Sequence, residues 1–286
     1  MSKAMRLALS PAKCTATILC TFLVPSLISA DLHPATTNYL QFSGDGDYVE
    51  IPSAPDLSFG PAGFTVSAWV KPDTLEFRRT EGSGYVYWMG KGEPSRYEWA
   101  ARMYSYTNRE KPPRPNRFSF YLFNPDGGLG EGSYTQAPIR AGEWIQITAW
   151  ANRRETAIYR NGEYVRCDEY NGPAGHGCQA HEERIHPAPG NAPLRLGTRD
   201  RNSFFQGGLA QVRIWNRALG PEEIQKVFHG DIPQGGLVAE FPLNEGKADI
   251  IHDATGRHQG KIIGARWAAL AEQPVAGAIQ RDAAGR

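Results

Sequence analysis

The sequence has few cysteines and almost no net charge. Four of its 286 residues are cysteine, and 31 lysines and arginines against 30 aspartates and glutamates give a formal charge of +1. This balance does not produce the strong positive field that favours nucleic acid binding. P-loop, Gly-x-Ser-x-Gly and paired Cys-x-x-Cys motifs are also missing, so the sequence lacks the usual signals of nucleotide hydrolysis, serine hydrolysis and four-cysteine zinc binding.

The N-terminal thirty residues have the pattern of an export signal. Three basic residues precede the apolar run Cys14–Ile28, which is followed by the small residues Ser29 and Ala30. Because the run contains Pro25 and is shorter than the ~20 residues that span a bilayer, a membrane anchor is disfavoured. We therefore predict a signal peptide at residues 1–30 and a secreted or periplasmic protein with no transmembrane segment after cleavage.

Cleavage would leave two of the four cysteines, Cys167 and Cys178. Two thiols eleven residues apart in an exported chain indicate a disulfide that closes a small loop, with a contribution of about 2–3 kcal/mol by the chain-entropy argument. The alternative is a metal pair, which is less favoured because His176 is the nearby ligand type and no further cysteine is close.

Short apolar runs alternate with glycine, proline and asparagine through most of the chain, which is typical of a many-stranded antiparallel fold. In Phe64–Lys71 every second residue is apolar, as in a half-buried strand. Asn161-Gly162 between two such runs predicts a tight hairpin. Gly220–Phe228, with a proline and two acids in its first turn, predicts one short helix at an end of the sandwich.

These patterns predict an all-β fold of two stacked antiparallel sheets with one short helix. We place a single domain at residues 31–268 and a flexible tail at 269–286. Further strands are expected at Tyr39–Phe42, Tyr48–Ile51, Val86–Gly90, Trp99–Tyr106, Phe118–Phe123, Trp144–Trp150, Thr156–Arg160, Leu194–Gly197, Leu209–Trp215, Leu237–Leu243 and Gly260–Trp267.

Several segments resemble, in the same order, the LamG-like jelly rolls of the concanavalin A-like lectin/glucanase superfamily. The resemblance covers roughly residues 38 to 267. The segments that carry it are Tyr39–Pro52 (YLQFSGDGDYVEIP), Phe64–Pro72 (FTVSAWVKP), Gly142–Ile145, Tyr159–Glu163, Phe205–Leu219 (FQGGLAQVRIWNRAL), Leu243–Gly246 and Asp253–Gly256.

The resemblance implies a curved two-sheet jelly roll, often with a calcium ion at the sheet rim. Members are commonly carbohydrate-binding or adhesive modules attached to exported enzymes. The fold also hosts glycosidases and lyases, so the resemblance alone does not give the activity.

An Asp-Gly-Asp turn offers candidate calcium ligands, because calcium prefers carboxylate and carbonyl oxygens. Asp45 and Asp47 would form half of such a site. Members of the family usually carry an acid pair where this chain has Ala210 and Gln211, so an uncharged Gln211 would complete a weaker site. The alternative is a glycine-permitted turn with solvated aspartates. An anion cradle is disfavoured because two carboxylates would repel the ligand.

No pair of carboxylates follows the E-x-D-x-x-E spacing of the related glucanases, so no catalytic residue is assigned. Aromatic side chains on predicted strands are the stronger signal, since a flat ring stacks on the apolar face of a pyranose. We expect five of them on an open sheet face: Trp88, Trp99, Tyr104, Tyr106 and Tyr121. The ligand-binding residues predicted from this pattern are Lys91, Trp99, Arg102, Tyr104 and Tyr121.

The leading hypothesis is an exported, non-catalytic module that binds carbohydrate or a cell-surface polymer, with calcium as a candidate cofactor and no nucleic acid partner. A polysaccharide lyase or glycosidase with an unorthodox site is the alternative, because Tyr97 and Tyr104 supply a base and Arg102 and Lys91 a cation. A third hypothesis is an adhesive or structural envelope protein. The basic loop with Arg109, Lys111, Arg114 and Arg117 would suit an acidic glycan.

Overall fold

A computed structural model describes residues 32–270 except for residues 112, 125–129 and 165–184. The predicted signal peptide, the predicted disulfide between Cys167 and Cys178, and the tail beyond residue 270 lie outside the described residues. The last described strand runs to Ala269, one residue past the predicted end of the domain.

The strands form two antiparallel sheets, which confirms the predicted fold class. In chain order they are β1 (Asn38–Ser43), β2 (Tyr48–Ile51), β3 (Phe64–Pro72), β4 (Tyr85–Glu93), β5 (Arg96–Tyr104), β6 (Arg117–Phe123), β7 (Gly130–Tyr134), β8 (Ile145–Ala151), β9 (Thr156–Arg160), β10 (Glu163–Tyr164), β11 (Leu194–Leu196), β12 (Gln206–Trp215), β13 (Leu237–Phe241), β14 (Ile250–His252), β15 (Gln259–Ile263) and β16 (Arg266–Ala269).

Sheet A has the strand order β10-β9-β8-β3-β12-β1-β16, and β13 also pairs with β12. Sheet B has the order β14-β15-β2-β11-β4-β5-β6-β7. The inner faces of both sheets supply one large apolar core, in which Phe64 stacks on Phe59 at 4.4 Å and contacts the rings of Trp99 and Phe120. Burial of this core is the main stabilising contribution to the sandwich.

The Asn161-Gly162 hairpin forms as predicted between β9 and β10. Both residues have positive φ, 53° and 78°, and Glu163 pairs with Arg160. Asparagine and glycine tolerate this backbone conformation better than other residues, which explains why the turn occurs at this dipeptide.

The predicted helix is α1 (Pro221–Phe228), but its place differs from the prediction. It packs with Ile224 and Val227 against Trp215 and Tyr159 on the outer face of sheet A, rather than at an end of the sandwich. Its first turn is capped because the Glu223 carboxylate accepts the N–H of Gly220 at 3.1 Å and two hydrogen bonds from Arg217. The hydrogen bonds from Arg217 lower the pKa of Glu223 to about 2.

Within the described part of the chain, no helix is long and apolar enough to cross a membrane. Helix α1 is an amphipathic helix of 8 residues that covers one sheet face. The outer face of sheet B carries a cluster of aromatic side chains instead.

Candidate functional site

Strands β4, β5 and β6 turn a set of aromatic and arginine side chains away from the core, on the outer face of sheet B. The strand register places Tyr85 beside Tyr104, and Arg102 between Tyr87 and Ser119. We call this the tyrosine–arginine face and define it by Tyr85, Tyr87, Tyr97, Arg102, Tyr104, Arg114, Tyr121, Phe123 and Arg199. Most of these residues lie on adjacent strands, which hold their side chains in fixed positions, whereas Arg114 and Arg199 come from loops.

Arg102 lies between two tyrosine rings. Its guanidinium carbon is 3.9 Å from the ring centroid of Tyr85 and 3.6 Å from that of Tyr121. Its Nε donates to Ser119 Oγ at 3.0 Å. These cation–π contacts and the hydrogen bond hold the guanidinium in place, and the residue is only 3% exposed.

The hydroxyl of Tyr104 lies where two arginines and a second tyrosine meet. It is 3.4 Å from Arg102 Nη2, 3.4 Å from Arg114 Nη1 and 3.1 Å from the hydroxyl of Tyr121. Burial alone would raise the pKa of Tyr104, but the two guanidinium groups and the hydrogen bond with Tyr121 outweigh burial and hold the pKa below its usual value.

Arg114 comes from the loop between β5 and β6 and is placed there by Asn108. The buried Asn108 side chain accepts the backbone N–H of Arg114 at 3.0 Å and donates to the carbonyl of Ser83 at 3.0 Å. The loop therefore folds back, and the Arg114 guanidinium lies 4.4 Å from the ring centroid of Tyr134. The sequence placed Arg114 in a basic loop beside the aromatic strands, but Arg114 was not among the predicted ligand-binding residues.

Arg199 forms a second centre on the same face. Its guanidinium carbon is 3.4 Å from the ring centroid of Tyr97 and 4.1 Å from that of Tyr87. Its Nη2 donates to Glu81 at 2.9 Å and to Asp200 at 3.0 Å. Burial raises the pKa of Glu81 to about 7, although Arg199 opposes the increase. This centre was missed from the sequence because its acids come from separate loops.

Two predicted members of the site, Lys91 and Trp99, lie elsewhere, and the prediction that Trp88 and Trp99 lie on the open face is wrong. Trp99 and Tyr104 are five positions apart, so regular alternation in β5 puts them on opposite faces. Trp99 is 2% exposed in the core, and Trp88 is fully buried there. Lys91 pairs with Trp99 across the strands and turns inward with it.

Lys91 forms a buried ion pair with Glu98 instead. Its Nζ is 2.7 Å from Glu98 Oε2 and donates to the carbonyl of Gly190 at 2.6 Å. Lys91 pairs with Trp99 and Gly92 pairs with Tyr97, so Glu98 has no partner in β4 and forms a β-bulge. The bulge turns the Glu98 side chain toward Lys91. Glu98 also lines a cavity of about 830 Å³ together with residues 189–193. Burial raises the pKa of Glu98 and lowers that of Lys91.

The three predicted calcium ligands are not brought together. Strand β12 pairs Gln206 with Ser43 in β1, so Gln211 lies five residues further along, roughly 16 Å away at strand spacing. The Gln211 amide donates to the carbonyl of Ala35 at 3.0 Å. Asp45 pairs with Arg78 at 3.7 Å, and the Asp47 carboxylate accepts the N–H of Ser43 at 2.6 Å.

No cluster of three or more acidic, histidine or cysteine side chains suited to a metal exists among the residues that the structure describes. Asp47 shares a cavity of about 400 Å³ with Asp73, but the Asp73 carboxylate already accepts from Gln41 and pairs with Lys71. These contacts do not fit a strong calcium site. Calcium binding stays a prediction.

The fold and this face define a two-sheet β-sandwich with an aromatic, arginine-rich outer surface. Residues 43–225 match the Laminin_G_3 model, described as concanavalin A-like lectin/glucanases superfamily. The match covers more than half of the chain, and the chain therefore belongs to this family. Comparison with curated proteins returns no significant match.

Solved structures with the same fold include a protein from Bacteroides ovatus ATCC 8483 that is provisionally assigned as carbohydrate-binding. It has a TM-score of 0.54 and 16% sequence identity, and the alignment covers 84% of this chain. The chain spans 62% of the length of that structure. A SAP-like pentraxin from Limulus polyphemus has a TM-score of 0.47 and 14% identity, with 82% of this chain and 98% of the pentraxin covered. At 16% identity the Bacteroides ovatus structure shows the fold alone.

Proposed function

We propose that the protein is an exported, non-catalytic module that binds carbohydrate on its tyrosine–arginine face. The observation that carries the proposal is the set of tyrosine rings held on a rigid sheet. Tyr85, Tyr97 and Tyr121 are each half-buried, so part of each side chain remains open to solvent. A half-exposed ring can stack on a pyranose while its hydroxyl keeps a polar contact.

The family and the sequence support this proposal. The Bacteroides ovatus protein, which has the same fold, is provisionally assigned as carbohydrate-binding. The signal pattern at residues 1–30 supports export, and export would bring the protein into contact with polysaccharides outside the cell. The outer face of sheet A is partly covered by α1, which favours sheet B as the binding side.

The test is loss of binding when one half-buried ring is removed. A polysaccharide panel, with and without calcium, first identifies a ligand by affinity electrophoresis. Tyr97→Leu is then expected to weaken binding by about fivefold in calorimetric titration, since a ring contact contributes about 1 kcal/mol beyond its buried area. Leucine keeps an apolar side chain but removes the flat ring.

The control is Tyr164→Leu, which removes a 40% exposed ring from sheet A and should leave affinity unchanged. Equal losses in the two variants would contradict the placement of the site. A panel without any bound polysaccharide would contradict the function and would favour the adhesive or structural alternative.

A lyase remains the second candidate, because one observation favours it. The Tyr104 phenol, with its lowered pKa, lies between Arg102 and Arg114, as a base beside a uronate carboxylate would. In such a β-elimination the phenolate takes the proton next to the carboxylate and the C–O bond to the leaving sugar breaks. The resulting electron pair forms the C=C bond, and the Tyr121 hydroxyl protonates the leaving oxygen. However, Tyr104 is fully buried, which favours binding over catalysis.

Incubation with uronate polymers, followed by ultraviolet absorbance of unsaturated ends, separates the two candidates. The binding function predicts no new absorbance. Product that disappears in Tyr104→Phe, which keeps the ring but lacks the base, would establish the lyase instead.

A further inference from the structure

Most buried cations of the two sheets have carboxylate partners. Arg195 pairs with Glu50 and Glu93, at 2.9 and 2.5 Å, and Arg213 pairs with Glu240 at 3.0 Å. Arg199 and Lys91 are paired in the same way, as described above. This is the expected arrangement, because an unpaired buried charge is strongly destabilising.

Arg102 and Arg114 are the exception in the described ranges. They are 3% and 6% exposed, and neither forms an ion pair with an acidic side chain there. Their side-chain hydrogen bonds go to hydroxyl groups, and the Nε of Arg114 is buried without any hydrogen-bond partner. Two positive charges therefore converge on the hydroxyl of Tyr104 without a compensating negative charge.

The partners of Arg199 differ from those of Arg102, although both side chains lie against tyrosine rings. Both centres place a guanidinium against tyrosine rings, with distances of 3.4 to 4.1 Å from the guanidinium carbon to the nearest ring centroids. At Arg199 the chain supplies Glu81 and Asp200, whereas at Arg102 it supplies a second arginine. A pair of fixed, unpaired guanidinium groups is suited to binding an external oxyanion.

We infer that the glycan bound by this protein is acidic, and that Arg102 and Arg114 bind its carboxylate or sulfate group. This inference rests on the proposed function and names the class of its ligand. The half-buried rings of Tyr85 and Tyr121 flank Arg102, so a sugar that contacts the open part of either ring would lie beside the guanidinium groups. The hydroxyl of Tyr121, which belongs to a half-buried side chain, would donate a further hydrogen bond to the oxyanion.

The loop that supplies Arg114 adds charge of the same sign around the site. Arg109 and Lys111 are exposed, and Glu110 is the acidic residue between them. Glu110 accepts a hydrogen bond from the hydroxyl of Tyr85, at the edge of the face. An acidic polymer would thus meet exposed positive charges before it reaches the buried pair, which favours its association.

The experiment uses matched pairs of polymers and the full chain. Polygalacturonate is compared with its carboxyl-reduced form, and dextran sulfate is compared with dextran. The ionic strength is about 0.15 M, which limits nonspecific electrostatic attraction. The wild-type protein is expected to bind at least one acidic polymer about tenfold or more tightly than its neutral counterpart. The first pair reports on a carboxylate and the second on a sulfate.

The variant Arg114→Met keeps an unbranched side chain and removes the charge. It is expected to reduce affinity for the acidic polymer by about tenfold or more, while Arg140→Met, which removes a charge from a side chain that is 85% exposed, changes affinity by less than about twofold. The melting temperature of Arg114→Met should be unchanged or higher, because it relieves an uncompensated charge; a purely structural arginine would lower it.

Equal wild-type affinity for the acidic and neutral members of both pairs would overturn the inference and leave the carbohydrate-binding function standing. The inference would also be overturned if Arg140→Met weakened binding as much as Arg114→Met. The acidic polymer would then be attracted by the general positive charge of the surface rather than by a specific site. Binding to none of the four polymers, nor to any other polysaccharide, would overturn both. The comparison of wild-type affinities needs no variant and stays decisive if Arg114→Met does not fold.

Discussion

Replacing Lys91 with methionine is expected to lower the free energy of unfolding by about 3–5 kcal/mol near neutral pH. The Lys91 side chain is 1% exposed and the Glu98 carboxylate 5% exposed, with 2.7 Å between Nζ and Oε2. Methionine fills much of the same volume but leaves Glu98 as an unpaired buried charge. It also removes the hydrogen bond that Lys91 donates to Gly190, which anchors the loop over the cavity.

The loss should depend on pH in a defined direction. Burial already raises the pKa of Glu98, while the hydrogen bonds and charge of Lys91 hold it down. Without Lys91 the folded-state pKa rises further above the unfolded value. A carboxyl group whose pKa is higher in the folded state than in the unfolded state stabilises the fold fully below its unfolded pKa. This stabilisation is lost as the pH rises through the folded-state pKa. The variant should therefore be closest to wild type at about pH 5 and furthest from it at about pH 8.

Urea unfolding of wild type, Lys91→Met and the double variant Lys91→Met/Glu98→Leu at both pH values measures this effect. The double variant should recover most of the loss, because a buried ion pair replaced by apolar groups is often neutral. Equal deficits of Lys91→Met at the two pH values would show that packing, rather than the uncompensated carboxylate, causes the loss.

The second large effect is expected at Gly207 in β12. This glycine has φ +154°, and a Cβ there would lie 2.2 Å from the carbonyl oxygen of Lys71 and 2.7 Å from the ring of Phe205. Strand β12 lies between β3 and β1 inside sheet A, so the backbone of Lys71 in β3 cannot move away freely from the added Cβ. Gly207→Ala should therefore lower the free energy of unfolding by about 3 kcal/mol or more.

A matched control separates the steric clash from the backbone strain. Gly142 also has positive φ, +82°, but a Cβ there would meet no atom within 4 Å. Gly142→Ala should cost about 1 kcal/mol, which is the strain of the left-handed conformation alone. Thermal and urea unfolding of both variants give the comparison, and equal losses would contradict the clash at Gly207.

The strands with regular alternation and the tight turn were predictable from sequence because these signals are local. Phe64 to Val70 and the Asn161-Gly162 turn are examples, although β3 is buried on both faces rather than half-buried as predicted. Strand β7 (Gly130–Tyr134) was not predicted, because G-E-G-S-Y has one apolar side chain and no usable period. Its pairing with β6 forms through backbone hydrogen bonds, which sequence patterns do not report.

The site was predictable in part. Arg102, Tyr104 and Tyr121 were named from residue type, and the structure brings these three together on one face. Arg114 could not be placed, because its position depends on how Asn108 folds a proline-rich loop. Trp99 could have been excluded by counting positions from Tyr104 along β5, since the spacing is odd.

Helix α1 on sheet A gives the molecule two chemically different sides. A long polymer that engages several copies through the tyrosine–arginine face would leave α1, with its exposed Glu222 and Lys226, pointing outward from every copy. The bound copies would then cover the sugar rings of the polymer and expose a repeated, charged helical surface to the solution. For immobilisation, attachment through an engineered cysteine at Gln225 on this helix would keep the opposite side open to the solution.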